Sequence, residues 1–151
     1  MGWQLIRPQV DQLQRLAGAG NTAEIDLSSS VSRTQAQRQG AWAEQRVLRL
    51  LLARGWQLLD RNWRCRWGEI DLVMAKPGRL LLVEVKARQR RGADGGGRAA
   101  LGPGKRLRLQ RAWSCWVAAH PRWGDTPVEQ VAALVPLPPA RQPVLWIRME
   151  S

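Results

Sequence analysis

Tyrosine and phenylalanine are missing from the 151-residue chain, histidine occurs once, and only Lys76, Lys86 and Lys105 among its 24 cationic residues are lysine. A single histidine excludes histidine-rich zinc sites and argues against a Ser-His-Asp triad. The place of His120 beside Pro121 suggests a helix end rather than a catalytic base. Cysteine is nearly as scarce. Cys65 and Cys115 stand far apart and outside any Cys-x-x-Cys spacing, which points to reduced, half-buried thiols. No apolar run approaches the roughly eighteen residues of a membrane-crossing helix, so none is expected. The N-terminus has no basic start followed by an apolar block. No secretory signal is therefore expected, and the chain reads as cytoplasmic with no membrane partner.

What is abundant is positive charge. A formal charge of +12 and a pI near 11.6 call for a polyanionic partner, nucleic acid first and an anionic membrane surface second. The charge is uneven. Residues 1–35 are neutral, whereas residues 86–111 hold nine Lys or Arg against Asp94 alone. In so arginine-rich a chain a retained lysine hints at a position where guanidinium will not serve, because an ammonium can lose its proton and arginine effectively cannot. The nine tryptophans are expected mostly to fill core positions, with base stacking by one or two as the lesser reading.

Residues 1–32 show no sustained periodicity and read as a flexible leader ahead of one domain, 33–151. From Thr34 to Arg54 the pattern is helical, with a Ser or Thr N-cap, Gly55 as the stop, and Gly40, Ala43, Val47, Leu50 and Leu51 at helical spacing. Glu44 lies on the edge of that stripe, facing inward or meeting a neighbouring Arg or solvent. Trp56–Arg66 reads as a strand whose Arg61, Arg64 and Arg66 suit either phosphates or a solvated edge. Ala87–Gly102 is a Gly- and Arg-rich loop carrying Arg88, Arg90 and Arg91, suited to ordering on phosphates.

A second helix, Gly104–Ala119, has Leu107, Leu109, Ala112, Trp113 and Trp116 as its apolar side. Lys105, Arg106, Arg108 and Arg111 crowd its start, where positive charge opposes the helix dipole and so serves an anion. Strands are expected at Val128–Val135 and Val144–Met149. The order helix, three strands, helix, two strands is that of an α/β sheet flanked by helices.

The most informative stretch is Gly68–Lys86, in which two apolar-rich runs flank a Lys76-Pro77-Gly78-Arg79 turn. Antiparallel pairing across that turn sets Ala75 opposite Leu80, Asp71 opposite Glu84 and Glu69 opposite Lys86. All four charged residues then emerge on one side, together with Val73, Leu80 and Leu82. Two carboxylates directly across a ladder, with Cβ atoms about 5 Å apart, repel each other. A divalent cation would offset that repulsion, whereas the bland alternative is a solvated face with a Glu69–Lys86 ion pair. A one-residue slip would send Asp71 and Glu84 to opposite faces.

Gly40-x-x-x-Glu44, Arg61-Asn62-Trp63-Arg64-Cys65-Arg66-Trp67-Gly68-Glu69-Ile70-Asp71, Val83-Glu84-Val85-Lys86 and Lys105-Arg106-Leu107 together resemble the YraN-like family. These bacterial proteins are related to Holliday-junction resolvases and other restriction-endonuclease-like nucleases. The resemblance covers about residues 36–135 and implies a restriction-endonuclease-like core, a mixed central sheet flanked by helices. The PD-(D/E)xK signature of that superfamily would be Asp71 with Glu84-x-Lys86, Ile70 standing where a proline is usual. Where such proteins carry Arg-Phe-Asp on a late strand, this chain reads Val128-Glu129-Gln130-Val131.

The resemblance implies that Asp71, Glu84, the Val85 carbonyl and Glu44 bind Mg²⁺ or Mn²⁺. It gives Lys86 the orienting or deprotonating of the attacking water, supported by Glu69. Oxygen-only ligands suit such a hard cation. Lys105, Arg106, Arg108 and the Arg-rich loop would hold flanking phosphates. Two functions from different classes follow: a metal-dependent endonuclease acting on structured, branched or single-stranded DNA, and a nucleic-acid-binding protein that keeps the fold without cleaving. An RNA- or ribosome-associated basic protein is a weaker third. Many branched-DNA nucleases are homodimers, but no dimer surface is legible in the sequence.

Overall fold

A computed structural model describes residues 33–88 and 102–149. Helix α1 (Gln35–Ala53) is followed by strands β1 (Gln57–Cys65), β2 (Gly68–Lys76) and β3 (Arg79–Arg88). Helix α2 (Pro103–Ala119), a short 3-10 turn (Pro121–Trp123), β4 (Val128–Pro136) and β5 (Leu145–Arg148) complete the unit. The five strands form one sheet in the order β1-β2-β3-β4-β5. Only β3 and β4, joined through α2, pair in parallel; the other neighbours are antiparallel. This is an α/β architecture with a mixed sheet, consistent with a nuclease-like core. The expected leader (1–32), most of the expected 87–102 loop, and Arg90 and Arg91 within that loop lie outside the described residues.

The local signals act as expected. The Thr34 hydroxyl accepts from the Gln37 N–H while the Gln37 side chain accepts from the Thr34 N–H, closing a capping box. Gly55, at φ +83°, ends α1 in the left-handed region that glycine enters at low cost. Gly78, at φ +76°, turns the β2–β3 hairpin, and Ala75 faces Leu80 as the alternation requires. A bulge between Leu58 and Asp60 interrupts the β1–β2 register.

Each sheet face carries its own apolar layer. Ala43, Val47, Leu48 and Leu51 of α1 pack on Leu72, Met74, Leu81 and Val83. Leu109, Ala112 and Trp116 of α2 pack on Ile70, Val73, Leu80 and Leu82. Leu107, expected on the apolar side of α2, is exposed. It sits two positions from Leu109, about 200° round the helix, and so points away from the sheet. Gly40 likewise lies on the exposed part of α1.

The tryptophans meet the expectation in part: Trp116 lies in the core, and Trp56, Trp63, Trp67, Trp113, Trp123 and Trp146 pack against it. Among the described ones only Trp116 is fully buried, Trp42 is exposed, and the rest are half-buried. Several lie under cations: Trp67 under Arg66 and Arg111, Trp56 under Lys76 and Arg79, and Trp123 under Arg122. With few lysines and no other aromatic, indole rings flanked by arginines cover the boundary between core and solvent. His120 caps the end of α2, its ring stacked on Trp116 and its Nδ1 2.7 Å from the Trp116 carbonyl. Cys65 and Cys115, distant in sequence, are both free and half-buried, and burial followed by the nearby Cys65 pushes the Cys115 thiol up.

Candidate metal and nucleic-acid site

The β2–β3 ladder runs from Lys76–Arg79 out to Leu72–Val83 and stops there. Beyond it the strands part, and the Asp71 carboxylate replaces the next ladder bond by accepting the Val85 N–H through Oδ2 at 2.7 Å. The expected Asp71–Glu84 opposition is therefore met as an electrostatic neighbourhood rather than as a ladder pair. Burial first, then the charge of Glu84, pushes the Asp71 carboxyl up to about 7, against the lowering effect of the Val85 N–H. Glu44 and Glu69 add smaller repulsions of the same sign. Four acids thus converge on the fork: Asp71 and Glu69 from β2, Glu84 from β3 and Glu44 from α1.

Glu44 resolves in favour of an inward position. It is 8% exposed, and burial raises its pKa despite nearby Arg61 and a hydrogen bond with Asn62. Its Oε1 lies 3.7 Å from Arg61 Nε, too long for a hydrogen bond. Glu84, also 8% exposed, meets Lys105 across the sheet face, Nζ to Oε1 at 2.6 Å. Glu44 Oε1, Glu84 Oε2 and Arg61 Nε are buried without hydrogen-bond partners. Orphaned anionic oxygens are costly in so dry a place, and two of them beside a third, strained carboxyl make a set that a hard cation suits. Among the described residues no three acidic, imidazole or thiol side chains already close on one point as a ligand cage. The donor types fit the ion; the side chains must turn to enclose it.

Several expectations are corrected. The Glu69–Lys86 pairing does not form, because the ladder has ended; Glu69 instead accepts from Arg64 Nε at 3.2 Å. Glu69 therefore does not hold Lys86. Lys86 is exposed, on the same face of β3 as Glu84 by alternation. Arg61, expected toward phosphates, turns inward to Gln45 Oε1 at 3.2 Å and toward Glu44. Lys105, expected on phosphate, is engaged by Glu84; the anion served by this basic helix start is one of the protein's own. Arg64, Arg66, Arg106 and Arg108 are exposed and Arg88 is half-buried; Arg64 lies against Glu69, and Arg108 lines a hollow with Glu69 and Lys105.

Asn62 escaped the sequence reading. It sits at φ +51°, a left-handed conformation that asparagine tolerates, and its side chain bonds to Glu44. An asparagine inside a strand, between Arg61 and Trp63, was the available signal.

A model of the family described as "Uncharacterised protein family UPF0102" matches residues 43–134, which include Glu44, Asp71, Glu84, Lys86 and Lys105. A UPF0102 protein of Prochlorococcus marinus (strain MIT 9303) is 54% identical over 114 residues, covering 76% of this chain and 90% of the relative. One from Synechococcus sp. (strain CC9902) is 48% identical, covering 78% and 98%. One from Pseudomonas entomophila (strain L48) is 38% identical, covering 72% and 89%. Match length and identity agree, and the chain belongs to the UPF0102, or YraN-like, family.

Proposed function

We propose that the chain is a metal-dependent endonuclease that hydrolyses phosphodiester bonds in DNA of structured, branched or single-stranded form. The observation that carries the reading is the buried acid cluster: Glu44 Oε1 and Glu84 Oε2 without hydrogen-bond partners, beside an Asp71 carboxyl pushed up to about 7. A pure binder has no need to hold opposed acids in a dry fork next to its most basic surface. Asp71, Glu84, Glu44 and the Val85 carbonyl would hold Mg²⁺ or Mn²⁺. When bound, such an ion stabilises charge on the phosphoryl oxygens and lowers the pKa of water.

The chain's own groups supply the rest. Lys86, exposed beside Glu84, would orient the attacking water by donating to it. The Val85 N–H fixes the Asp71 carboxylate, so that one of its oxygens is held in advance. Lys105 neutralises Glu84 until substrate arrives, then is free to move to a phosphate oxygen. Arg64, Arg66, Arg106 and Arg108 hold flanking phosphates, giving affinity that falls steeply with salt and reads little sequence.

The test is a cleavage panel of linear, flap and four-way DNA with Mg²⁺, with Asp71→Asn and Lys86→Ala as controls. Cleavage by the natural chain and its loss in both variants is expected. Cleavage undiminished in Asp71→Asn would contradict the assignment. The second reading, a nucleic-acid-binding protein that keeps the fold without cleaving, is favoured by one observation. Lys105 already neutralises Glu84 with no metal required. Salt-sensitive DNA binding with no cleavage in any metal would select it, and preference for RNA in competition would promote an RNA-associated role.

A further inference from the structure

Beside the acid fork lies a cavity of about 250 Å³ lined by Trp67, Gly68, Glu69, Lys105, Arg108, Leu109 and Ala112. Its walls come from the β1–β2 turn with the start of β2, and from the first turns of α2. It adjoins the acids on two sides. Lys105 holds Glu84 at 2.6 Å, and the charge of Glu69 is felt by both Asp71 and Glu44. The lining combines an apolar base (Leu109, Ala112), an indole (Trp67), two cations and one carboxylate. Two guanidiniums lie on the Trp67 ring, Arg66 at 4.4 Å and Arg111 at 4.5 Å from its centroid, so an entering base has to displace one of them to reach the indole face.

Indole rings and guanidinium planes are the surfaces on which unpaired bases stack, while cations at the rim take the flanking phosphates. A carboxylate in the wall accepts from base amino or imino groups, which a pocket for phosphate alone would exclude. The volume is below the roughly 300–1,000 Å³ of drug-sized sites and suits a single planar ring system.

We infer that this cavity receives one unpaired nucleobase, so that the strand presented to the acids carries an unpaired nucleotide next to the phosphate to be cut. The inference rests on the nuclease reading for the phosphate's place but not for the base site itself. A base within continuous duplex would first have to leave its stack and its pairing, whereas a single-stranded or junction nucleotide enters without that cost. The substrate class is thereby narrowed from DNA in general to DNA with an unpaired nucleotide at the site.

The test uses the full-length Asp71→Asn chain and fluorescence anisotropy at fixed salt. Three labelled DNAs are compared: one with a single unpaired thymidine between two duplex arms, one with an abasic residue at that position, and one fully paired. The base-bearing DNA is expected to bind about tenfold tighter than the abasic one, as stacking of one base supplies. Trp67→Leu in the same background should remove that difference and leave abasic affinity within about twofold, while Trp67→Phe restores most of it. Equal affinity for the base-bearing and abasic DNAs overturns the inference. Because that comparison changes the ligand and not the chain, it decides the matter even where Trp67→Leu fails to fold. Base preference without cleavage by the natural chain would remove only the nuclease reading; cleavage without base preference would remove only the base receptor.

Discussion

Replacing Asp71 by Asn should stabilise the protein above neutral pH. The Asp71 carboxyl ordinarily titrates at 3.8 and is pushed up to about 7 by burial and by Glu84. The folded chain therefore keeps a proton there that the unfolded chain loses, and folding grows less favourable as pH rises from about 4 to about 7. At about 1.4 kcal/mol per pH unit, a displacement of about three units sets a ceiling near 4 kcal/mol. Part of that belongs to Glu84, so about 2 kcal/mol is the expected gain on removing the charge, a sizeable share of a typical 5–15 kcal/mol. Asparagine keeps an acceptor for the Val85 N–H and nearly the same volume, so little else changes. In thermal melts at pH 8 without divalent ions, Asp71→Asn should melt several degrees above the natural chain, and the two should converge toward pH 4. Parallel melting curves from pH 4 to pH 8 would refute the idea that a buried, repelled carboxylate sits at this fork.

Further outcomes follow from the same geometry. Millimolar Mg²⁺ should raise the melting temperature of the natural chain at pH 8, less so at pH 6 where protons compete for Asp71, and not at all in a Glu84→Gln, Asp71→Asn double variant. Lys105→Met leaves Glu84 charged and without its cation; because Lys105 is partly solvated, a loss of about 1–2 kcal/mol is expected, recovered in part by Mg²⁺ in a urea titration at pH 8. Trp116→Ala should cost about 3–5 kcal/mol in the same titration, since the ring is fully buried and its Nε1–H donates to Asp60 at 3.1 Å. DNA affinity measured between about 50 and 200 mM salt should fall by orders of magnitude if several arginines neutralise phosphates together.

Much of this was legible from residue order. The Thr34 cap, the Gly55 stop and the Pro77-Gly78 turn are local signals, and local chemistry decided them. Alternation gave the hairpin register from Lys76–Arg79 to Leu72–Val83, and it set Asp71 directly opposite Glu84, a pair that the ladder does not reach. What could not be read was where pairing would cease. Alternation extends indefinitely on paper, but the Val85 N–H is taken by Asp71 and the ladder ends, so Glu69 finds Arg64 rather than Lys86. Contacts between distant elements were equally hidden: nothing local says that Lys105 reaches Glu84, that Arg61 turns toward α1, or that Cys65 meets Cys115. Most described tryptophans do pack on the core, but half-buried, for a compositional reason. In most chains Phe and Tyr share the boundary positions, and here indole has to serve there with arginine laid over it.

The irregularity between Leu58 and Asp60 reaches beyond local geometry. Strand β1 forms one border of the sheet and is nine residues long, enough to template the addition of a foreign strand. The kink, followed at once by Asp60, Arg61 and Arg64, denies an incoming chain a straight, uncharged rail to align with. Strand joining on this border is thus disfavoured. The other border of the sheet, β5, has only four residues to offer an incoming strand.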